Sequence, residues 1–226
     1  MSAFVLSPQG IYRSPALLAF DELEHGFGTS FSAGWPPSAA RLKQVHGDVC
    51  HRAVSAADAV REGDALIASE AGTLVSVRTA DCIPVLLYDP ANQAWGAVHA
   101  GWRGTASMIA AKVVARMQQE FGSKPAGLVA AIGPGIGPCC FEVGEEVAEY
   151  FPDFTNRDLA KPRVDLWLAN RAQLERAGAG QIEVAGLCTC CLADRFHSYR
   201  RDKGPGRMVS VIGRRSIAVR ERERVC

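Results

Sequence analysis

Three short motifs of the sequence each contain one residue that could bind a metal ion. His46 lies in the motif QVHG, Cys82 in TADC and His99 in VHAGWRG. Imidazole and thiolate both suit Zn²⁺, and a set of three protein ligands leaves a fourth position for water or substrate. Taken singly, each residue is more commonly a hydrogen-bonded histidine or a packed thiol. Together they predict a catalytic metal site, on the condition that the fold brings them into contact.

Apolar runs next to these motifs predict the elements that position them. Residues 73–79, 83–89 and 94–101 are rich in β-branched or apolar side chains and predict three strands. Functional side chains gather where strands run into loops, because a rigid sheet aims them into a shared cleft. From Thr105 onward apolar residues recur every three or four positions, which predicts a helix that ends at Gly122.

The rest of the pattern completes an α+β protein. Further predicted elements are a strand at 42–54 with Val45, Val49 and Val54, a strand that enters a Gly/Pro loop at 128–137, short and longer helices at 142–151 and 164–178, and strands at 182–188 and 207–213. The first strands follow one another without crossover helices, which favours mixed or antiparallel sheets over a doubly wound fold. The sequence contains no repeat and no linker, so we expect residues 1–226 to form one domain.

Composition excludes several classes of protein. The chain has 226 residues, 48% of them hydrophobic, and a formal net charge of +1. This apolar content suffices for a core, and the balanced charge gives no overall field that would attract nucleic acid or an anionic membrane. The first twenty residues lack a basic segment followed by a long apolar one, and Pro8 and Pro15 interrupt them. We therefore expect a cytoplasmic protein with reduced thiols.

The eight cysteines have few other recognisable motifs. Cys188-x-Cys190-Cys191 resembles half of a zinc site, but spacing reveals no second half elsewhere in the chain. Cys139 and Cys140 follow a proline without the further spaced cysteine of the nucleobase deaminases. The surrounding GPGIGPCC also lacks the lysine of a phosphate-binding loop.

Six motifs, in order, resemble the YfiH family. They are LKQVHGDV, GDALIAS, TADCIPVLLYDP, VHAGWRGT, AIGPGIGPCCFEVGEEV and FHSYRRD, and they extend from about Leu42 to Gly213. These bacterial proteins were once labelled laccase-domain or multicopper polyphenol oxidases and are now described as purine nucleoside phosphorylases. The family's metal-binding catalytic positions fall on His46, Cys82 and His99 without a departure.

The resemblance implies a zinc enzyme that acts on purine nucleosides. Its activities would be phosphorolysis of adenosine, inosine, guanosine and methylthioadenosine, together with deamination of adenosine. It also implies mixed sheets packed together with helices outside, similar to the catalytic domain of cytotoxic necrotizing factor. One departure is Phe196-His197, where the family often has two aromatic residues. If that aromatic pair stacks on a base, His197 would alter substrate preference.

Further charged residues are candidates for contacts with substrate. In deamination the metal would lower the pKa of a bound water, and Asp81 or Asp64 would supply the acid for the departing ammonia. Asp64 is equally well explained as a residue that caps a turn. In phosphorolysis Arg103, ahead of a helix, and then Arg200 and Arg201 are candidates to hold phosphate. Structural pairing with nearby acids is the alternative for these arginines.

Other functions compete with this interpretation. A cysteine hydrolase could use Cys82 as nucleophile and His99 as base, for example on peptidoglycan precursors. A laccase-like polyphenol oxidase, with copper in place of zinc, is disfavoured because the chain has five histidines and no His-x-His motif. The basic stretch at 195–224 could bind nucleic acid, but it lacks interleaved aromatics and is more simply a solvated face. The sequence assigns no oligomeric state.

Overall fold

The computed structural model of the chain describes residues 4–215, apart from residues 33, 37, 58, 59 and 159. The strands of this part are β1 Val5–Leu6, β2 Ile11–Arg13, β3 Leu23–Gly28, β4 Cys50–Arg52, β5 Ala65–Ala68, β6 Val75–Thr79, β7 Ile83–Asp89, β8 Ala94–Ala100, β9 Val129–Ile132, β10 Thr155–Asn156, β11 Arg163–Val164, β12 Gln181–Val184 and β13 Met208–Arg214. The α-helices are α1 Pro15–Leu18, α2 Trp102–Ala106, α3 Ile109–Phe121, α4 Glu145–Ala148, α5 Leu166–Arg176 and α6 Tyr199–Asp202.

Two sheets form the centre of the fold. An antiparallel sheet of five strands has the order β1-β2-β3-β13-β6, and a six-stranded sheet has the order β12-β9-β7-β8-β5-β4. The middle of the six-stranded sheet is antiparallel, while β12 and β4 are added in parallel at its two edges. Strands β10 and β11 pair with each other. The predicted α+β class with mixed sheets is confirmed.

Strand β7 belongs to two hydrophobic cores at once. Val85 and Leu87 lie in the core that also contains buried residues of α3 and α5. Leu86 and Tyr88, which point to the opposite face, lie in the core shared with the five-stranded sheet. Successive side chains of a strand alternate between faces, so a strand covered on both sides is apolar throughout. The molecule therefore has three layers: the five-stranded sheet, the six-stranded sheet that contains β7, and the helices.

The helices are short, and α2, α3, α4 and α5 pack on one face of the six-stranded sheet, whereas Leu17 of α1 lies in the core between the two sheets. The longest, α3, has 13 residues and buries Ile109, Val113 and Met117 among others. In the part of the chain that the structure describes, no helix is long and apolar enough to cross a membrane. The similarity to the toxin catalytic domain and the single domain over 1–226 stay predictions.

Two predicted elements differ from the structure. The helix expected from Thr105 to Gly122 is divided, because Met108 has a left-handed backbone with φ of 63° between α2 and α3. Apolar periodicity continues across this break and so could not reveal it. The strand expected at 42–54 is reduced to β4, since the three valines that suggested it are exposed residues of the flanking segments.

Strand register places Cys82, His99 and Asp64 at one end of the six-stranded sheet. In the β7–β8 pair, Pro84 lies opposite His99, so Cys82 precedes β7 at the point where β8 ends. In the β5–β8 pair, Ala65 lies opposite Val98, and the His99 amide donates to the Asp64 carbonyl at 2.7 Å. Three segments that are distant in sequence therefore meet at this edge.

Candidate functional site

His46, Cys82 and His99 converge at this end of the sheet. Their potential ligand atoms all lie within 4.8 Å of one another, and the two imidazole rings are 4.9 Å apart at an interplanar angle of 75°. His99 is almost completely buried near the end of β8, whereas His46 is exposed. The condition set by the sequence, that the fold should bring these residues together, is met in the structure.

Asp64 holds two of these segments in place. Its carboxylate accepts hydrogen bonds from the backbone amides of Val45, His46 and Gly47 at 3.3, 3.0 and 2.7 Å. The same carboxylate accepts the Nδ1–H of His99 at 2.7 Å. Because Nδ1 donates to Asp64, Nε2 is the ring nitrogen of His99 that faces Cys82, and it would bind a metal ion once its own proton is displaced. His46 itself has φ of 60°, a strained conformation that these bonds help to maintain.

The electrostatics of the group favour a thiolate. Burial raises the pKa of Cys82, but hydrogen bonds from His46 and His99 outweigh it and bring the pKa down to about 6. Burial lowers the pKa of His99, while its bonds to Asp64 and Cys82 raise it to about 9. Burial likewise raises the pKa of Asp64, and its bonds to His99 and Gly47 lower it overall. Negative charge on Cys82 is thus stabilised by its neighbours, as a metal ligand requires.

Glycine at position 101 leaves space for an ion beside the thiolate. A Cβ at Gly101 would lie 3.0 Å from Cys82 Sγ and 3.4 Å from Cδ2 of His46. Two imidazoles and one thiolate are a donor set found in catalytic zinc sites, and the oriented Nε2 of His99 supplies a ligand with fixed direction. The residues present therefore fit a zinc ion held by His46, Cys82 and His99.

The group lies in a cavity of about 850 Å³. This is within the range of small-molecule binding sites. The described residues that line it are Leu42, Lys43, Gln44, His46, Arg78, Ala80, Asp81, Cys82, His99, Ile136, Phe141, Tyr199, Arg200, Pro205 and Arg207. Four of them carry a positive charge and one a negative charge, so the cavity is suited to an anionic ligand. The rings of Phe141 and Tyr199 add apolar surface.

Arg78 is the cavity cation with the least engaged side chain. The Gln44 amide bonds both backbone polar groups of Arg78, at 2.8 Å each, and fixes its position. The Arg78 guanidinium is exposed and makes no ion pair or hydrogen bond with any residue that the structure describes. Lys43 pairs with Glu62, and Arg207 donates to two nearby carbonyls. Arg78 is therefore free to bind an anion in the cavity.

Comparison with known proteins decides the family. A family model described as multi-copper polyphenol oxidoreductase laccase matches residues 29–215. A Deinococcus radiodurans protein named purine nucleoside phosphorylase is 45% identical over 181 residues, covering 77% of this chain and 69% of that protein. Purine nucleoside phosphorylase YfiH of Escherichia coli is 36% identical over 200 residues, covering 85% of this chain and 81% of the relative. The chain belongs to the YfiH family.

Solved structures of the YfiH family have the same fold. Hypothetical protein YfiH from Bacillus licheniformis, at 28% identity, has a TM-score of 0.85 over 94% of this chain and 99% of that one. YlmD from Geobacillus stearothermophilus, at 29% identity, has a TM-score of 0.83 over 96% of this chain and 100% of the other. The predicted family is thereby confirmed.

The carboxylates of Asp64 and Asp81, the two candidate acids, accept hydrogen bonds from other parts of the protein. Asp64 is fully buried and does not line the cavity, and its bonds leave no oxygen directed at a substrate. Direct substrate contact by Asp64 does not fit this position, whereas the alternative of a turn-capping residue does. Asp81 lines the cavity, but its oxygens accept from Thr189 Oγ1 at 2.7 Å and the Arg200 amide at 2.6 Å. Its φ of 87° sets the turn that presents Cys82.

The three candidate arginines have different surroundings. Arg103 is exposed, does not line the cavity and stacks on the Trp102 ring at 4.2 Å. Arg201 also lies outside the cavity lining, where it pairs with Asp202 and donates to three backbone carbonyls. Arg200 does line the cavity and donates to the carbonyl of Glu142 at 2.8 Å. Of the three, Arg200 alone has a position from which it can contact a ligand there.

The Phe196-His197 pair lies elsewhere. Phe196 is buried against Tyr12, with ring centroids 5.7 Å apart, and neither residue of the pair lines the cavity. The suggestion that His197 alters base stacking is therefore not supported by its position. Arg220 and Arg222 of the basic stretch lie outside the described residues.

Sequence reasoning overlooked much of the cavity lining. Lys43 and Gln44 lie in the same motif as His46, and Arg78 is the one charged residue of β6. A single charge in a strand of uncharged residues was the available signal for Arg78. Phe141 and Tyr199 reach the cavity from segments that become neighbours through long-range packing, and spacing gives no signal for them.

Proposed function

We propose that this protein is a zinc-dependent purine nucleoside phosphorylase. The observation that carries the proposal is one cavity that contains both a His-Cys-His group and an excess of cationic side chains. A metal ligand set alone suits many reactions, but phosphorolysis also requires a bound phosphate dianion. The names of the Deinococcus and Escherichia relatives agree with this activity.

Phosphate and the nucleoside would bind in two different parts of the cavity. Arg78, with support from Lys43 and Arg207, binds phosphate by charge-assisted hydrogen bonds. Phe141 and Tyr199 offer ring faces against which a purine can pack. Bringing the phosphate and the sugar together in one orientation accounts for a large part of the rate enhancement.

The zinc ion would be held by His46, Cys82 and His99, with Asp64 orienting His99. When bound, it supplies Lewis-acid stabilisation of negative charge that develops on the substrate. Asp81 keeps the Cys82 turn in position through its bonds to Thr189 and Arg200. A cytoplasmic location belongs to the proposal, because Cys82 must stay reduced to serve as a ligand.

Adenosine, inosine, guanosine and methylthioadenosine are the proposed substrates of phosphorolysis. Deamination of adenosine is a second proposed activity, favoured by the open fourth position that three protein ligands leave. The two reactions give different products: phosphorolysis releases a free base and needs phosphate, and deamination converts adenosine to inosine without it.

The test is product analysis on these nucleosides with and without phosphate. Wild-type protein loaded with zinc is expected to release free base only when phosphate is present. His46→Ala and Cys82→Ala should abolish base release, while Cys50→Ala and His51→Ala, on β4 and outside the cavity lining, should retain it. Phosphate-independent release, or wild-type rates in the site variants, would overturn the proposal.

Two other outcomes would assign the site to a rival function. An active metal-free protein that is inactivated by alkylation of Cys82 would indicate a cysteine hydrolase. Oxygen-dependent oxidation of phenols by a copper-loaded protein would indicate a polyphenol oxidase. Either result, in the absence of base release from nucleosides, would replace the phosphorylase proposal.

A further inference from the structure

A second group of potential metal ligands lies outside the His-Cys-His group. The Sγ atoms of Cys139, Cys140, Cys188 and Cys191, here called the cysteine cluster, all lie within 4.8 Å of one another. Spacing suggested half a zinc site at Cys188 to Cys191 and no second half. The fold supplies that second half by bringing Cys139 and Cys140 next to Cys191. Spacing could not reveal it, because Cys139 is 52 positions from Cys191 in sequence. We propose that the cysteine cluster binds one structural Zn²⁺ ion.

The distances within the cluster suit one ion. Sγ of Cys191 lies 3.5 Å from that of Cys139 and 3.4 Å from that of Cys140. A disulfide needs about 2.05 Å between its sulfurs, so these thiols are not joined. Four sulfurs placed tetrahedrally around zinc at about 2.3 Å are about 3.8 Å apart. An iron–sulfur cluster would add several irons and sulfides between the ligands, for which these separations leave no room.

One backbone donor and one cation of the surrounding segments lie against the cysteine cluster. The Gly137 amide donates to Cys188 Sγ at 3.3 Å. The Arg201 guanidinium donates to the Thr189 and Cys190 carbonyls at 3.0 Å each, which brings a positive charge to the backbone of the Cys188–Cys191 loop. Donors that bond a metal ligand or the backbone beside it orient the ligands and offset their negative charge. The structural role of Arg201 is thus explained together with the cluster.

The cluster connects two loops that support the cavity. One loop follows β9 and contains Ile136 and Phe141, both of which line the cavity. The other follows β12 and contains Thr189, whose hydroxyl bonds Asp81 beside Cys82. Four protein ligands close the coordination sphere and leave no position for substrate, so the ion would be structural. It would hold the two loops together at the back of the site.

Metal content per chain tests the proposal directly. Zinc is measured by mass spectrometry in the full chain, purified with a reducing agent. We expect about two zinc ions in the wild type and about one each in Cys82→Ala and Cys139→Ala/Cys191→Ala. A variant that combines all three substitutions should bind none. Cys139 and Cys191 are exposed, so their truncation removes little packing.

The matched control is Cys190→Ala. Cys190 adjoins Cys191 in the same loop but is not part of the cluster, so this variant should keep about two zinc ions. A structural ion also predicts a lower melting temperature for Cys139→Ala/Cys191→Ala than for Cys190→Ala. An equal melting temperature for the two would contradict the structural role.

Two results would overturn zinc binding by the cluster. One is equal zinc content in the wild type and in Cys139→Ala/Cys191→Ala. The other is a disulfide between cluster cysteines in the reduced preparation, detected as a loss of mass from the intact chain. The proposal does not depend on the phosphorylase activity: failure of that activity appears in the product analysis, whereas failure here appears in the zinc content of the cluster variant.

Discussion

Asp64 connects two ligand-bearing segments through one buried carboxylate. It bonds the turn that carries His46 and the imidazole of His99, so both ligands depend on a residue that never reaches the cavity. The sequence could identify Asp64 as a turn-capping acid. It could not show that the same carboxylate orients His99, because that contact joins residues 35 positions apart.

Asp64→Asn should weaken metal binding and destabilise the fold. The asparagine would direct N–H groups at backbone amides that need an acceptor, and Nδ1–H of His99 would lose a charged partner. We expect zinc affinity to fall about 10–100-fold and unfolding free energy to fall by about 3–5 kcal/mol. Chelator competition and urea denaturation measure the two effects. Asp48→Asn, which breaks a surface pair with Lys112, should change stability by less than about 1 kcal/mol.

Arg78 directly precedes the motif TADC and Arg103 lies within VHAGWRG, but of the two only Arg78 lines the cavity. Arg78→Ala should raise the KM for phosphate about tenfold or more, since hydrogen bonds to charged groups contribute about 1.5–3 kcal/mol. Arg103→Ala should leave that KM unchanged, because Arg103 stacks on Trp102 outside the cavity. Steady-state kinetics at varied phosphate separates the two. Equal effects in both variants would show that the binding charge is not located at Arg78.

At the scale of elements, prediction succeeded where burial determines the pattern. Strand β7 was placed at its observed bounds and β8 within one residue, because both are covered on two faces and must be apolar throughout. The break between α2 and α3 was not foreseen, since it depends on the backbone conformation of Met108. The valines of residues 42–54 wrongly predicted a long strand. They are exposed, so no packing against a core determines their spacing.

Gly101 lies between β8 and α2 and is adjacent to Cys82 and His46, two of the proposed metal ligands. Its φ of −71° is open to alanine, so Gly101→Ala tests steric exclusion alone. The added Cβ, 3.0 Å from Cys82 Sγ, should displace the thiolate and lower kcat/KM about 10²-fold. Circular dichroism should show an unchanged fold. Gly127→Ala, where a Cβ meets nothing within 4 Å, is the matched control and should keep wild-type activity.

The whole molecule brings together residues that no local pattern relates. Both the cavity and the cysteine cluster use loops at the ends of β9 and β12, which are parallel neighbours in the sheet but about fifty residues apart. Motif spacing therefore identified the His-Cys-His group, whose members lie in distinctive motifs, and missed the cluster. The residue types of the cluster were visible in the sequence, but the order of the strands that brings these residues together could not be predicted from it.

The packing of the two sheets also makes stability depend on one buried histidine. His25 of β3 is fully buried, and its Nε2 accepts the Ser14 amide at 3.1 Å, so the ring is neutral in the folded state. Burial, reinforced by the charge of Arg13, lowers the pKa of His25 from 6.5 to about 4. The folded chain therefore takes up this proton less readily than the unfolded chain. The stability that His25 contributes is present above pH 6.5 and is lost as the pH falls towards 4.

His25→Gln should remove this part of the pH dependence. From these pKa values, we expect the wild type to lose about 2 kcal/mol more stability than the variant between pH 7 and pH 5. Urea unfolding at each pH measures the difference, and acid effects on the metal ligands cancel because both proteins share them. Between pH 7 and pH 8.5 the two slopes should agree, since His25 is then neutral in both states. An equal loss on acidification would show that His25 accepts a proton without unfolding.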